Sequence, residues 1–256
     1  MMLAGGVLAR GYNARSIFAR ACPAPDPGME KPSDPNEIDL LRLLPESERA
    51  HLESHSIRRR YSPATIIHSP GDVGAMVNFV VSGRVKIYNL SACGKEIIYR
   101  FCMPNSFFGV AEIFGGDQRE VFAEAMEDTE VLSTEKQYFE ALILRNPALT
   151  VTVMRILGNR VRQAHKAISS FVFCDVRTRL AQLLIKLAQI NGAENPDGTV
   201  TLRNRFTHQE MANMIGAIRQ TVSDNMNHFK RSGHIRVADE RITLIDSAAL
   251  KRLISD

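Results

Sequence analysis

The chain has 256 residues, enough for one large hydrophobic core or two modest ones, and its 45% hydrophobic content is ordinary for a soluble protein. Its formal charge of +4 is compatible with a nucleic-acid partner without requiring one. No apolar run reaches the length of a membrane span, and Cys22, Cys93, Cys102 and Cys174 are too scattered for a zinc finger or a disulfide framework, which points to a reducing, cytoplasmic setting.

Residues 1–35 carry five prolines and four glycines, with Arg10, Arg15 and Arg20 spaced by five and no acid before Asp26. This composition predicts a disordered or weakly ordered arm; a targeting segment and a start at Met29 are the alternatives. Over residues 57–132 short alternating β segments are punctuated by Gly71-Asp72, Gly83, Cys93-Gly94 and Gly115-Gly116-Asp117. Phe79-Val80-Val81, Val85-Lys86-Ile87-Tyr88 and Ile97 to Phe101 are the strand candidates. Many short strands with regular turns predict a sandwich or barrel, with room for a ligand between its sheets.

A long helix is expected from Asn146 or Pro147 to Phe173. Val153, Ile156 or Leu157, Arg160, Val161, Ala164, Ile168 and Phe171 recur on it at three- and four-residue steps. Such a stripe pairs with its copy in a second subunit or packs on its own barrel. Arg160 lies near that seam, where a bare charge is expensive, so an anionic effector or a barrel carboxylate is expected beside it. Asp175 caps the next helix, and the break at Cys174-Asp175 is the natural hinge. Residues 191–198, rich in Gly, Asn and Pro, read as an exposed loop.

The segment from Leu202 to Ile245 is the most informative. Thr207 and Glu210, three residues apart, make a capping box that starts a helix through Met211, Met214 and Ile215. Gly216 suits a tight turn. Ile218, Val222, Met226 and Phe229, at spacings of four, four and three, predict a second helix from Ile218 to Arg231 with those four residues buried. Arg219, Gln220, Thr221, Ser223 and Asn227 then fall on outward faces. Arg219 suits guanine, Gln220 suits adenine, and Thr221 and Ser223 suit a phosphate or a thymine methyl. Lys230, Arg231 and His234 are placed for phosphates, which position without specifying sequence. Thr207, His208 and Gln209 at the start of the first helix are included on the DNA side. Ser232-Gly233 breaks the helix, and Ile235, Val237, Ile242 and Leu244 alternate around Ala238-Asp239-Glu240 as a hairpin wing. No nucleophile–base arrangement, nucleotide loop or paired-acid cleft is visible, so an enzyme is not expected.

In this order, VVSGRVKIY, SFFGVAEIFGG, FCDVRTRLAQLL and FTHQEMANMIGAIRQTVSDNMNHFKRSGHIRV resemble the CRP/FNR family of bacterial transcription regulators over about residues 57–245. The resemblance implies an α+β fold: an N-terminal double-stranded β-helix (jelly-roll) sensor barrel, a long dimerisation helix and a C-terminal winged helix-turn-helix. The implied divisions are an arm over 1–35, a barrel with flanking helices over 36–145, the dimer helix over 146–173 and the DNA-binding unit over 174–256. It also implies a homodimer on a pseudo-palindromic duplex, a small-molecule effector, and RNA polymerase as a partner of an activator. Operator, target genes and the sign of regulation are not legible.

Departures from the family pattern bear on the effector. Phe108, Gly109, Val110, Arg119, Arg160 and Ala164 match effector-facing positions. Gly109 is followed by Val110, which cannot bond a ribose hydroxyl, and Glu120 follows Arg119 where cyclic-nucleotide binders carry a hydroxyl residue. Ala164 and His165 stand where the cyclic-AMP binder has hydroxyls. Phe108-Gly109-Val110 with Arg160 instead resembles the branch that senses 2-oxoglutarate, which makes a dicarboxylate-like anion one candidate effector and a cyclic nucleotide a weaker one. Haem held by His68, His165, Cys93 or Cys102 is a weaker expectation. An iron–sulfur cluster is not expected, and an effector-independent regulator is the alternative. In the recognition helix, Gln220 replaces the usual Glu and Asp224 the usual Arg, which shifts the expected base preference and sets an acid near phosphate.

Overall fold

The computed structural model describes residues 40–255; the expected arm, with Cys22 and Met29, lies outside the described residues. A single 3₁₀ turn, Leu40–Leu43, leads into α1 (Glu46–Ser54). The strands β1 (Ser56–Tyr61), β2 (Ile66–His68), β3 (Met76–Ser82), β4 (Val85–Leu90), β5 (Glu96–Cys102) and β6 (Phe107–Phe108) follow. After the short α2 (Ala111–Phe114) come β7 (Phe122–Ala125), β8 (Thr129–Glu135), α3 (Lys136–Arg145) and the long α4 (Pro147–Phe173). The chain then runs through α5 (Val176–Asn191), β9 (Gly192–Glu194), β10 (Val200–Leu202), α6 (His208–Ile215) and α7 (Arg219–Arg231). It closes with β11 (Ile235–Ala238), β12 (Arg241–Leu244) and α8 (Ser247–Ser255).

Two antiparallel four-stranded sheets, ordered β1-β8-β3-β6 and β2-β7-β4-β5, form the jelly-roll. Successive strand residues point to opposite faces, so each inner sheet serves two cores. Val80, Val85, Ile87, Cys102, Phe108, Ala123 and Val131 fill the space between the sheets. Val77, Phe79, Phe107 and Leu132 face the other way, against Leu52 of α1, Phe139 and Leu142 of α3, and Leu149, Val153 and Ile156 of α4. Inside the sandwich, Ser133 Oγ donates to Asn78 Oδ1 at 2.8 Å, which satisfies two buried polar groups. Side chains of both sheets meet in this space, where the sequence leaves room for a ligand. A recess of about 360 Å³ borders Arg60, Tyr61, Ser82 and Glu130.

The long helix divides by burial. Pro147 occupies its first turn, where a missing N–H is harmless. Leu149, Thr152, Val153 and Ile156 are buried on the barrel, and beyond Arg160 nearly every residue is exposed or half-buried. Met154 (63% exposed), Val161 (54%) and Ile168 (61%) recur every seven residues on this open side. The stripe read from the sequence thus serves two purposes: its first half covers the chain's own barrel, and its second half is left without a cover.

Asp175 accepts from Thr178 N at 2.8 Å and starts α5, as its cap position predicts. Leu180, Leu183, Leu184 and Leu187 of α5 make the C-terminal core with Met211, Val222, Met226, Phe229, Ile242 and Leu244. Helix α8 closes it with Leu250. The segment expected to be a loop over 191–198 is instead half of a hairpin. Strand β9 pairs with β10, and the wing sheet has the order β11-β12-β10-β9. Strands β9 and β10 are three residues long and β9 lacks β-formers, so no alternation is available to reveal them.

Candidate nucleic-acid interface and effector seat

The local chemistry of the helix-turn-helix is built as its sequence dictates. Thr207 Oγ1 accepts from Glu210 N at 3.1 Å, and Thr207 N donates back to Glu210 Oε2 at 2.7 Å, closing the capping box. Gly216 ends α6 at φ 61, ψ 38, a left-handed conformation natural to glycine. A Cβ there would also lie 2.9 Å from the ring of Phe171, so the end of α4 sits directly on this turn.

Helix α7 buries Val222, Met226 and Phe229, as the spacing predicts, but Ile218 is exposed. Ile218 is the N-cap residue with extended φ −92, ψ 148, so it stands outside the helix and helical phase does not apply to it. On the opposite side Arg219, Gln220, Asp224, Asn227, Lys230 and Arg231 are exposed, while Thr221, Ser223 and His234 are half-buried. The first turn of α7 has no side-chain cap and no acid, which leaves its N–H groups and the positive helix end facing outward beside Arg219. At the start of α6, Thr207 and Gln209 are exposed and His208 half-buried. Burial holds His208 below the usual histidine range, and the charges of Arg219 and Lys230 push the same way. The structure therefore brings His208 of α6 within the influence of Arg219 and Lys230 of α7.

Two features of this unit escaped the sequence. Gln220 Nε2 donates to Asp224 Oδ1 at 3.0 Å, so the acid that would repel phosphate is partnered within the helix. The wing turn places Asp239 and Glu240 at φ 50 and 60, and Glu240 is held by Arg205 at 2.6 Å.

The barrel meets α6 through charged groups on β4 and β5. Lys86 Nζ lies 2.9 Å from Glu96 and 3.1 Å from Glu124, and Asn213 Nδ2 of α6 donates to Glu96 Oε1 at 2.8 Å. Arg84 stacks over Phe101 and Phe206, at 4.8 and 5.4 Å from their ring centres, and lies 3.6 Å from Glu210 Oε1. The capping carboxylate of the first DNA-side helix thus also faces a barrel cation.

The effector positions are only partly assembled. Phe108, Gly109 and Val110 follow one another into α2. Phe108 is packed between the sheets, and Val110 is buried in the core shared with α3 and α4. Arg119 is buried and donates to Glu112 Oε2 at 2.5 Å and to the Met76 carbonyl. Arg160 donates to the Phe107 carbonyl at 2.9 Å, with its guanidinium 4.7 Å from the Phe107 ring centre, an internal placement where an effector was expected. Ala164 lies exposed on the open half of α4. His68, its ring tilted against that of Phe108 at 6.0 Å between centres, has a pKa lowered to about 4 by burial, with Arg119 adding to the effect. Among the described residues no group of three or more His, Cys, Asp or Glu is arranged to hold a metal ion; Cys93 is exposed and Cys102 buried.

Comparison with known proteins agrees with this architecture. Residues 58–146 match the cyclic nucleotide-binding domain, and residues 178–253 match the Crp-like helix-turn-helix domain. The chain is 30% identical to the cAMP-activated global transcriptional regulator CRP of Pasteurella multocida over 66% of its own length and 80% of the relative's. It is 29% identical to the global nitrogen regulator of Synechococcus elongatus over 86% of its length and 99% of the relative's. A solved CooA variant from Carboxydothermus hydrogenoformans superposes with a TM-score of 0.73 at 29% identity, covering 84% of this chain and 95% of that one.

Proposed function

The chain belongs to the CRP/FNR family of transcription regulators and carries its helix-turn-helix DNA-binding domain, and from that premise we propose a homodimer that reads a two-fold symmetric operator with α7. The observation that carries this is the outward edge of α7: Arg219, Gln220, Asn227, Lys230 and Arg231 are exposed beside an uncapped helix start, on a base of Val222, Met226 and Phe229. Arg219 reads guanine, Gln220 reads a base as an acceptor oriented by Asp224, and Lys230, Arg231 and His234 hold phosphates. Thr207, His208 and Gln209 approach the backbone from the start of α6. The open heptad of Met154, Val161 and Ile168 supports pairing of α4 with its copy, since bare apolar residues at that spacing form a coiled-coil seam. Pairing would set the two α7 helices in successive major grooves about 34 Å apart.

The barrel is the sensing side in this proposal. The Phe171–Gly216 contact and the Arg84–Glu210 approach are the physical routes by which its state would bias the orientation of the DNA-reading unit about the break at 174–175. The two regulators compared above are named for cyclic-AMP activation and for nitrogen control. A second, effector-independent reading is favoured by one observation: Arg119 is already engaged by a carboxylate of the same chain. Selection of duplexes from a random library by the full chain tests the function. Enrichment of a two-fold symmetric sequence with half-sites about one helical turn apart is expected; recovery of unselected DNA would reject it.

A further inference from the structure

The resident partner of Arg119 defines what the barrel accepts. Arg119 is 4% exposed and Glu112 is 6% exposed. Besides the 2.5 Å bond to Glu112, Arg119 donates to the Met76 carbonyl. Two glycines allow the surrounding chain to close over the pair. At Gly109, held at φ +75, a Cβ would lie 2.7 Å from Arg119 Nη1 and 2.9 Å from the Met76 carbonyl oxygen. At Gly74 a Cβ would lie 2.6 Å from Glu112 Cγ. Backbone bonds fasten the same loops: Gly71 N to Arg119 O at 2.9 Å, Arg119 N to Asp72 O at 2.8 Å, and Gly74 N to Asp117 O at 2.8 Å.

A buried guanidinium needs a compensating anion, and here the chain supplies it. A phosphate or carboxylate ligand reaching Arg119 would meet a second negative charge in a poorly screened interior, or would have to expel Glu112 from beneath Gly74. We propose that Glu112 is a specificity-determining residue: its carboxylate is the built-in ligand of Arg119, and it excludes phosphate- and carboxylate-bearing effectors, cyclic nucleotides and 2-oxoacids alike. This rests on the barrel being the sensing side, and it replaces the anionic effector expected from Phe108-Gly109-Val110 and Arg160 with a barrel whose anion seat is already filled.

The test uses the full chain without DNA, so that a failure of DNA reading leaves its result intact. Wild-type protein is titrated calorimetrically with cyclic AMP, 2-oxoglutarate and inorganic phosphate, and its melting temperature is followed in each. No saturable binding is expected at millimolar ligand. Saturable binding that Arg119→Met abolishes would overturn the proposal. Glu112→Ala opens the seat: acetate or phosphate is expected to raise the melting temperature of this variant by about 3 °C or more beyond the effect of matched chloride, and to leave wild type unmoved. A folded Glu112→Ala chain indifferent to both anions would also overturn it. Should that variant fail to fold, the double variant Glu112→Ala/Arg119→Met decides. Recovery of the fold supports an anion–guanidinium role for Glu112, and continued failure contradicts it.

Discussion

The DNA-reading unit and the barrel are built by opposite strategies. Around α6 and α7 the key contacts are local: Thr207 with Glu210, Gly216 at the turn, Gln220 with Asp224. They shape a surface that keeps its cations outward. In the barrel the key contacts join distant segments: Asn78 with Ser133, Arg119 with Met76, Arg160 with Phe107. They turn polar groups inward and satisfy them there. The cations of α7 stay on the surface, whereas the barrel engages Arg119 and Arg160 internally.

The largest expected effect breaks the reading unit alone. Phe229 is fully buried in its core, so Phe229→Ala should destabilise that unit by about 3–5 kcal/mol. Denaturant melts followed by circular dichroism should show it unfolding first, with the barrel transition unmoved.

The converse experiment targets the barrel. His68 has a folded pKa of about 4 against an ordinary 6.5, so between those values the unfolded chain holds the extra proton. The stability is unaffected above about pH 6.5 and falls as pH drops toward 4, by about 3 kcal/mol in total. Unfolding measured across that window should show the loss, and His68→Leu should flatten it.

A charge on the open seam of α4, which links the two units, tests the proposed pairing of two copies of the chain. Ile168→Asp should give a monomer in sedimentation, with secondary structure intact and affinity for a symmetric operator reduced about a hundredfold. A variant that stays dimeric would move the seam elsewhere.

The smallest effect sharpens the contrast on the DNA side. Arg231→Ala should weaken binding to all sequences alike and reduce the slope of log affinity against log salt by about one contact.

Legibility in the sequence follows the same division. The capping box, the glycine turn, the Asp175 cap and the limits of α4 depend on neighbours within a few residues, and each is readable. Ile218 was misplaced because four-residue spacing was counted from a residue that caps the helix rather than belonging to it. The β9–β10 hairpin was hidden by its Gly-Ala-Glu strand. Glu112 gave no signal at all. Its role arises from burial beside Arg119 and under Gly74, which only the folded topology brings about. The match of Val110 to an effector position of the family carries no information on burial; the residue stands at the start of α2, in the core shared with α3 and α4.

The most direct test of the central claim compares base preference between wild type and Arg219→Ala by selection from a random duplex library. The account predicts that preference at one position in each half-site relaxes, at a cost of about 1–3 kcal/mol, while the other positions and the symmetric spacing persist. An unchanged preference profile in Arg219→Ala would contradict base reading by α7.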